Sequence, residues 1–262
     1  MTIVTLSRDD LGDRMKAYEA TEATRKLVAG QAVYIRLDGR AFSTFTRGLP
    51  RPYDHKLSWI MAEVTKTIMR KMRVDIGYTQ SDEISLGWFI RDDMDNFLFS
   101  GRIAKLTSVL AGLASARFNQ LCYELGGIYK EKAIAHCPHF DARIYQVPSN
   151  MELMNSFVWR EQDCRRNSVS MAAQAKFSHK ELQRKDTETM RQMLFSIGEP
   201  YENLPEFFRK GSYFKRITVM LPIPDDVPIE HRDPSGMMMR GRILRVKNHP
   251  WQTTAERLQY FE

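Results

Sequence analysis

Two carboxylate-bearing turns are the part of this chain with the clearest capacity for chemistry. In YTQSDEISLGW (78–88), Asp82 and Glu83 stand between strand-forming residues, Ile76 and Tyr78 before them and Ile84, Leu86 and Trp88 after. In AVYIRLDGRAF (32–42), Asp38-Gly39 ends a second run of β-branched and aromatic residues. Three carboxylates on adjacent strand ends would make a hard-oxygen site for Mg2+, which completes its coordination with water and phosphate oxygens. Two such ions bracket a transferred phosphoryl group. The Gly39 carbonyl can add an oxygen, and the main-chain amides of GRAFS (39–43) can wrap phosphates. Ser81, beside the acids, suits phosphate chemistry and equally suits any tight turn. Spacing alone also fits an Asp-Gly turn and a solvated acidic hairpin tip.

Positioning those acids requires a sheet. Ser7 is the expected N-cap of a helix over 8–28, with acids in its first turn. A strand follows over 32–37. YDHKLSWIMAEVTKTIMRKM then places Leu57, Ile60, Met61, Val64, Ile68 and Met72 at helical spacing. The acidic stretch predicts a hairpin of 75–80 and 84–90. A long helix is expected over about 93–124, with Ile103, Leu106, Leu110, Leu113 and Phe118 on one face and Gly126-Gly127 as its end. A strand over 141–149 and a helix beginning at Asn150 complete a β-α-β-β-α-β order, the split βαβ of a ferredoxin-like sheet. In that order the first strand lies beside the hairpin, which brings Asp38 towards Asp82 and Glu83. Short helices and late strands near 213–221 and 242–247, broken by LPIPDDVP, predict a C-terminal extension. The whole of 1–262 thus reads as one catalytic chain, a core over 8–176 with 177–262 packed on it.

The balance of 39 Lys+Arg against 32 Asp+Glu gives +7, which favours an anionic partner such as nucleic acid or nucleotide. No apolar run approaches membrane-spanning length, and MTIVTLSRDD lacks a signal-peptide pattern, so a cytoplasmic protein is expected. Cys122, Cys137 and Cys164 make no spaced pair and read as reduced thiols. His136, Cys137 and His139 in AHCPHF have the types of zinc ligands but lack a fourth at sensible spacing. MMMRGRILRVK (237–247) fits a basic RNA-facing strand or an ordinary amphipathic one.

RLDGRAFSTFTRGLPRPYD, YTQSDEISL, FDARIYQVPS, WREQDC and FFRKGS, in this order and spacing over about residues 10–215, resemble the tRNA(His) guanylyltransferase family. The resemblance implies an α+β fold with a polymerase-palm-like core and a reaction that runs backwards, adding nucleotides to the 5′ end of tRNA in the 3′–5′ direction. Carried over, Asp38, the Gly39 carbonyl, Asp82 and Glu83 match the ligands of two Mg2+ ions, with Asp38, Asp82 and Glu83 catalytic. Asp38, Gly39, Arg40, Ala41, Phe42 and Ser43, with Ser81 and Asp82, match the nucleotide-triphosphate loop. Arg36 and Arg51 occupy basic positions near the same pocket, and Arg102 and Lys105 in GRIAKLTS match a phosphate-contacting motif. GTP and ATP are the implied nucleotides, ATP serving to adenylylate a 5′-monophosphate before the 3′-hydroxyl of an NTP attacks it. Family members assemble as tetramers, so a homotetramer is implied.

The sequence departs from eukaryotic members after its Asp-Cys pair. They continue with a His-Ile-Asn-Asn motif, whereas this chain reads Asp163-Cys164-Arg165-Arg166-Asn167-Ser168. The missing His belongs to the apparatus for untemplated G addition to tRNA(His). The chain therefore resembles the bacterial and archaeal guanylyltransferase-like branch, which repairs 5′-truncated tRNAs against the opposing strand. Arg160, Arg165, Arg166 and Asn167, on one helix, are the candidate RNA contacts. Addition of G to tRNA(His) is the alternative within the family. A nucleotide cyclase and a non-catalytic RNA-binding protein of the same fold are the alternatives outside it; the intact acids argue against the last.

Overall fold

The structure is a computed structural model that describes residues 8–23, 25–91, 97–223, 237–247 and 253–262. Its framework is set by strand β1 (Ala32–Gly39). Successive side chains on a strand face opposite ways, and β1 uses both faces. Val33, Ile35 and Leu37 enter one core, and Ala32 and Tyr34 enter another. On either side of β1 lie β3 (Glu83–Trp88) and β4 (Phe140–Val147), both antiparallel to it. Strand β2 (Ile76–Gln80) pairs with β3, and β5 (Ser212–Pro222) and β6 (Met237–Arg245) extend the sheet beyond β2. The order is β4-β1-β3-β2-β5-β6. Its first four members, with the helices between them, are the βαββαβ palm core.

Helix α1 (Arg8–Ala23) precedes the sheet, and α2 (Phe42–Phe45) is a single turn after β1. Helix α3 (His55–Lys71) starts where Asp54 accepts hydrogen bonds from the amides of Lys56 (2.7 Å) and Leu57 (2.9 Å). It ends with Arg70 and Lys71 at the negative pole of the helix. Its Ile60, Val64 and Ile68 pack with Leu106, Leu110 and Phe118 of α4 (Ile103–Leu125) against Val33, Ile35 and Leu37. A short α5 (Gly127–His136) leads into β4.

On the other face lies α6 (Asn150–Gln174), capped by the Ser149 hydroxyl accepting from the amide of Glu152 at 3.1 Å. Leu153, Met154 and Phe157 of α6 meet Tyr34, Tyr78 and Tyr213. Three short helices follow, α7 (His179–Leu182), α8 (Thr187–Ser196) and α9 (Glu206–Lys210). The last, α10 (Thr254–Phe261), places Leu258 and Phe261 on the α6-side core. No helix among the described residues is long and apolar enough to cross a membrane.

Several boundaries differ from the sequence expectation. The helix expected over 93–124 begins at Ile103, because Phe99, Ser100 and Gly101 all adopt positive φ, which an α-helix cannot hold; residues 92–96 lie outside the described residues. The first helix ends by Ala23 rather than 28. Beyond it, Lys26 bridges the backbone of Arg102 and Leu27 is buried in the core. Strand β3 stops at Trp88, and β6 begins five residues earlier than the expected 242. Most of the LPIPDDVP break lies outside the described residues.

Candidate active site

Strand register brings the two acidic turns together. Asp38 stands opposite Glu83 across β1 and β3, and the amide of Gly39 donates to the carbonyl of Asp82 at 3.1 Å. Ser81, with φ of 49°, makes the sharp turn between β2 and β3 that leaves Asp82 at the tip. By the period of two, Arg36 and Asp38 of β1 share the face of Tyr34, towards α6. Glu83 joins them there, beside Ser85, whose hydroxyl meets that of Tyr34 at 2.7 Å.

The three carboxylates are not equivalent. Glu83 is buried, and both its oxygens are taken by Arg160 of α6: Nε donates to Oε1 at 2.8 Å and Nη2 to Oε2 at 2.7 Å. Asp38 and Asp82 are half-buried and form no ion pair among the described residues. Burial pushes the Asp82 carboxyl above its ordinary range. Hydrogen bonds from its own backbone and from Ser81 oppose the rise, and the charges of Asp38 and Glu83 add to it. Burial also raises Glu83, and Arg160 pulls it back.

No three His, Cys, Asp or Glu side chains among the described residues are grouped to hold an ion. The oxygen donors that line the cleft here are the carboxylates of Asp38 and Asp82, and the Gly39 carbonyl is the next oxygen along β1 after Asp38. That set fits Mg2+, which keeps several waters and binds through one or two carboxylates plus substrate phosphates. A cation would also relieve the repulsion between the two unpaired acids. His136, Cys137 and His139 form no metal cluster; His139 Nδ1 instead lies 2.9 Å from the carbonyl of Cys137.

Asp38, Asp82 and Glu83 open into a cleft of about 730 Å3 between the strand ends, the loop before α3 and the cleft-facing side of α6. Arg36, Arg51, Ser81, Arg160 and Asn167 line it as well. The Arg36 guanidinium lies 5.8 Å from the centre of the Trp159 ring. Of the GRAFS residues, Phe42 is a core residue, packed on Phe45, Phe118 and Phe140. Its ring occupies the space a side chain at position 39 would need, with ring carbons 2.4–2.8 Å from a Cβ built there. Only glycine fits beneath it. Ala41 has a left-handed φ of 56°, and Arg40 and Ser43 are exposed.

Other sequence candidates lie elsewhere. Arg102 and Lys105 start α4, where the amide of Ile103 donates to Arg25 ahead of β1. Twelve residues on, Ser115 accepts from the amide of Phe140, the partner of Gly39. At 1.5 Å per residue the two ends of that span are about 18 Å apart, so Arg102 and Lys105 stand at the far end of the sheet from Asp38. Arg160, expected on an RNA-facing surface, is buried. Arg165 bonds Glu161, and Arg166 bonds Asp163 at 2.9 Å. Asn167 approaches Asp163 at 3.4 Å.

Sequence reasoning missed Asp163, which holds Arg160 at 3.0 Å as well as Arg166. It also missed an aromatic wall of the cleft, Tyr53 against Phe207 and Phe208 at 5.7 and 5.2 Å between ring centres. The burial of Arg160 had a readable signal. Leu153, Phe157, Arg160 and Cys164 follow helical spacing, so Arg160 falls on the apolar stripe of α6.

A palm-like sheet with unpaired acids on neighbouring strand ends is the architecture of a phosphoryl- or nucleotidyl-transferring enzyme. The family model Thg1: tRNAHis guanylyltransferase matches residues 12–148. An uncharacterized protein of Acanthamoeba polyphaga mimivirus is 33% identical over 233 residues, 82% of this chain and 80% of its own length. The structure of a bacterial tRNA(His) guanylyltransferase (Thg1)-like protein in complex with ATP superposes with a TM-score of 0.71 at 33% identity, covering 79% of this chain and 87% of that one. A structure of a bacterial Thg1-like protein in complex with GTP also gives 0.71, at 26% identity, covering 96% and 97%. The chain belongs to the Thg1 tRNAHis guanylyltransferase family and is a nucleotidyltransferase.

Proposed function

We propose that this nucleotidyltransferase extends 5′-truncated tRNA in the 3′–5′ direction, choosing each nucleotide by pairing with the opposing strand. The observation that carries the catalytic part is the pair of carboxylates, Asp38 and Asp82, that line a 730 Å3 cleft without an ion pair among the described residues, with Gly39 following Asp38 on β1. These three groups would hold Mg2+, which, bound as two ions, supplies neutralisation of the phosphates and a more nucleophilic attacking oxygen. ATP and GTP, the ligands of the two bacterial relatives, are the nucleotides assigned to this cleft. Arg36 and Arg51 offer cationic groups to the triphosphate. The amides of Ala41, Phe42 and Ser43, which have no backbone acceptor among the described residues, offer main-chain donors.

Two displacements follow. An oxygen of the RNA 5′-monophosphate attacks the α-phosphorus of ATP, and pyrophosphate leaves. The 3′-hydroxyl oxygen of the incoming NTP then attacks the RNA 5′-phosphorus, losing its proton as AMP leaves. An RNA that already carries a 5′-triphosphate needs only the second displacement, with pyrophosphate as leaving group. Tyr53, Phe207 and Phe208 supply apolar surface to the cleft, which would limit competition from water.

The choice of repair over dedicated tRNA(His) maturation rests on Arg165 and Arg166, which stand where eukaryotic members resemble one another in a His-Ile pair. Both are engaged in ion pairs within α6, to Glu161 and Asp163. Base pairing with a template then supplies the selectivity that the missing motif would provide. Assembly into a homotetramer belongs to the same reading, with tRNA as the partner.

The test compares two 5′-triphosphorylated tRNAs with purified protein, Mg2+ and each labelled NTP in turn. One lacks its first acceptor nucleotide; the other is tRNA(His) without the extra G. Incorporation into the first, limited to the base that pairs with the opposing strand, is the expected outcome. Efficient G addition to tRNA(His) whatever base lies opposite would replace repair with maturation, and no incorporation into either would remove both.

A further inference from the structure

The Glu83–Arg160 pair does more than fill space beneath the cleft. Glu83 and Asp38 are register partners on neighbouring strands, and directly opposed side chains have Cβ atoms about 4.5–5.5 Å apart. A free Glu83 carboxylate would therefore stand beside Asp38 and Asp82 and complete a three-carboxylate site. It is held back by a bidentate guanidinium whose own position is fixed by two further contacts and by burial. Nη2 of Arg160 also donates to Asp163 at 3.0 Å, the Trp159 ring centre lies 4.6 Å from its Cζ, and only 11% of the side chain is exposed. Asp163 is in turn fixed by Arg166 at 2.9 Å. The helix thus presents a preset cation to one carboxylate of the three.

We propose that Arg160 is a positioning residue: by holding Glu83 it limits the divalent-cation site to Asp38, Asp82 and the Gly39 carbonyl. The inference rests on the metal-site reading above. Metal affinity rises with the number of carboxylates in a site, so a two-carboxylate site holds Mg2+ poorly until triphosphate oxygens join it. Metal and nucleotide then enter together. Without the clamp, Glu83 joins the site, and the free protein binds a divalent cation on its own.

The decisive measurement is a Mn2+ titration of the nucleotide-free protein, reading unbound Mn2+ by electron paramagnetic resonance. Arg160→Met is expected to bind Mn2+ about tenfold or more tightly than the parent, since one carboxylate is added to the site. Adding Glu83→Gln to that variant is expected to return the affinity to the parent value. A purely structural role for Arg160 would weaken binding, not strengthen it. The inference is overturned if Arg160→Met binds no more tightly, or if the gain survives Glu83→Gln.

Should Arg160→Met fail to fold, the single variants Glu83→Gln and Asp82→Asn carry the test, titrated with Mn2+ beside a non-hydrolysable ATP analogue. Glu83→Gln is expected to match the parent, and Asp82→Asn to bind far more weakly. Equal weakening by both variants overturns the clamp while leaving the metal site standing. No weakening by Asp82→Asn overturns the metal site and the clamp with it.

Discussion

The two faces of the sheet are built differently from the same strands. Along β1, Val33, Ile35 and Leu37 face α3 and α4, and every one is fully buried against apolar partners. The alternate positions, Ala32, Tyr34, Arg36 and Asp38, begin as core and end as chemistry. On that second face α6 repeats the gradient, from Leu153 and Phe157 to Arg160 and Asp163. The apolar face supplies rigidity to strands whose other face must hold charges of like sign close together. Its surplus offsets what the site costs: Asp82 is kept partly dry beside two other acids, which disfavours its ionised form.

Substitutions on the two faces should therefore separate activity from stability. Asp38→Ala or Asp82→Ala is expected to lower nucleotide transfer by about three orders of magnitude or more, the loss of several kcal/mol of charge stabilisation in the transition state. Single-turnover incorporation of labelled NTP measures it. Neither variant should melt lower. The Asp82 carboxyl is raised in the folded state, so its ionised form costs stability in full above that raised value, and the cost fades as pH falls from there to the ordinary carboxyl range of the unfolded chain, below which none remains. A folded variant with full activity would end the assignment of the site.

On the other face, Phe118→Ala is expected to cost about 3–5 kcal/mol in denaturant unfolding, because Phe118 is fully buried beneath the site among Phe42, Phe45 and Phe140. Activity per folded molecule should survive better than in the acid variants. Gly39→Ala joins the two faces. Its methyl must displace the Phe42 ring, at about 1–3 kcal/mol for overpacking, and should lower activity together with melting temperature. Ser149→Ala removes the cap of α6 at about 1 kcal/mol, read from the same unfolding curves. The smallest effect belongs to Ser81→Gly. It relieves a left-handed φ and should raise stability by less than about 1 kcal/mol; a loss of activity without a loss of stability would show that the Ser81 hydroxyl serves Asp82.

The palm core was legible because each of its elements is written locally. A run of β-branched and aromatic residues marked β1, the spacing of Leu57 to Met72 marked α3, and the acids marked a turn. The start of α4 was not legible: Phe99 and Ser100 have no residue-type reason to take positive φ, and only the docking of Leu27 and Gly101 imposes it. Within the site, the meeting of Asp38 and Glu83 followed from strand order, but their inequality did not. Whether Arg160 faces solvent or Glu83 depends on how α6 is rotated over the sheet, a tertiary fact with one hint in the apolar stripe. Arg102 and Lys105 illustrate the converse. Their motif was readable, while their distance from Asp38 depends on the direction in which α4 crosses the sheet.

The unequal lengths of the outer strand pairings carry a consequence of their own. Strand β5 pairs with β2 over Ser212–Lys215 alone, yet it pairs with β6 as far as Pro222. Among the described residues the ribbon has no third strand from Ile217 onward, and isolated two-stranded ribbons are marginal in water. Amide exchange should therefore be graded across one continuous sheet. Protons of β1, flanked by β3 and β4, should persist longest in deuterated solvent. Those of Ile217–Leu221 and their partners should be replaced early, by local opening that leaves the catalytic end folded.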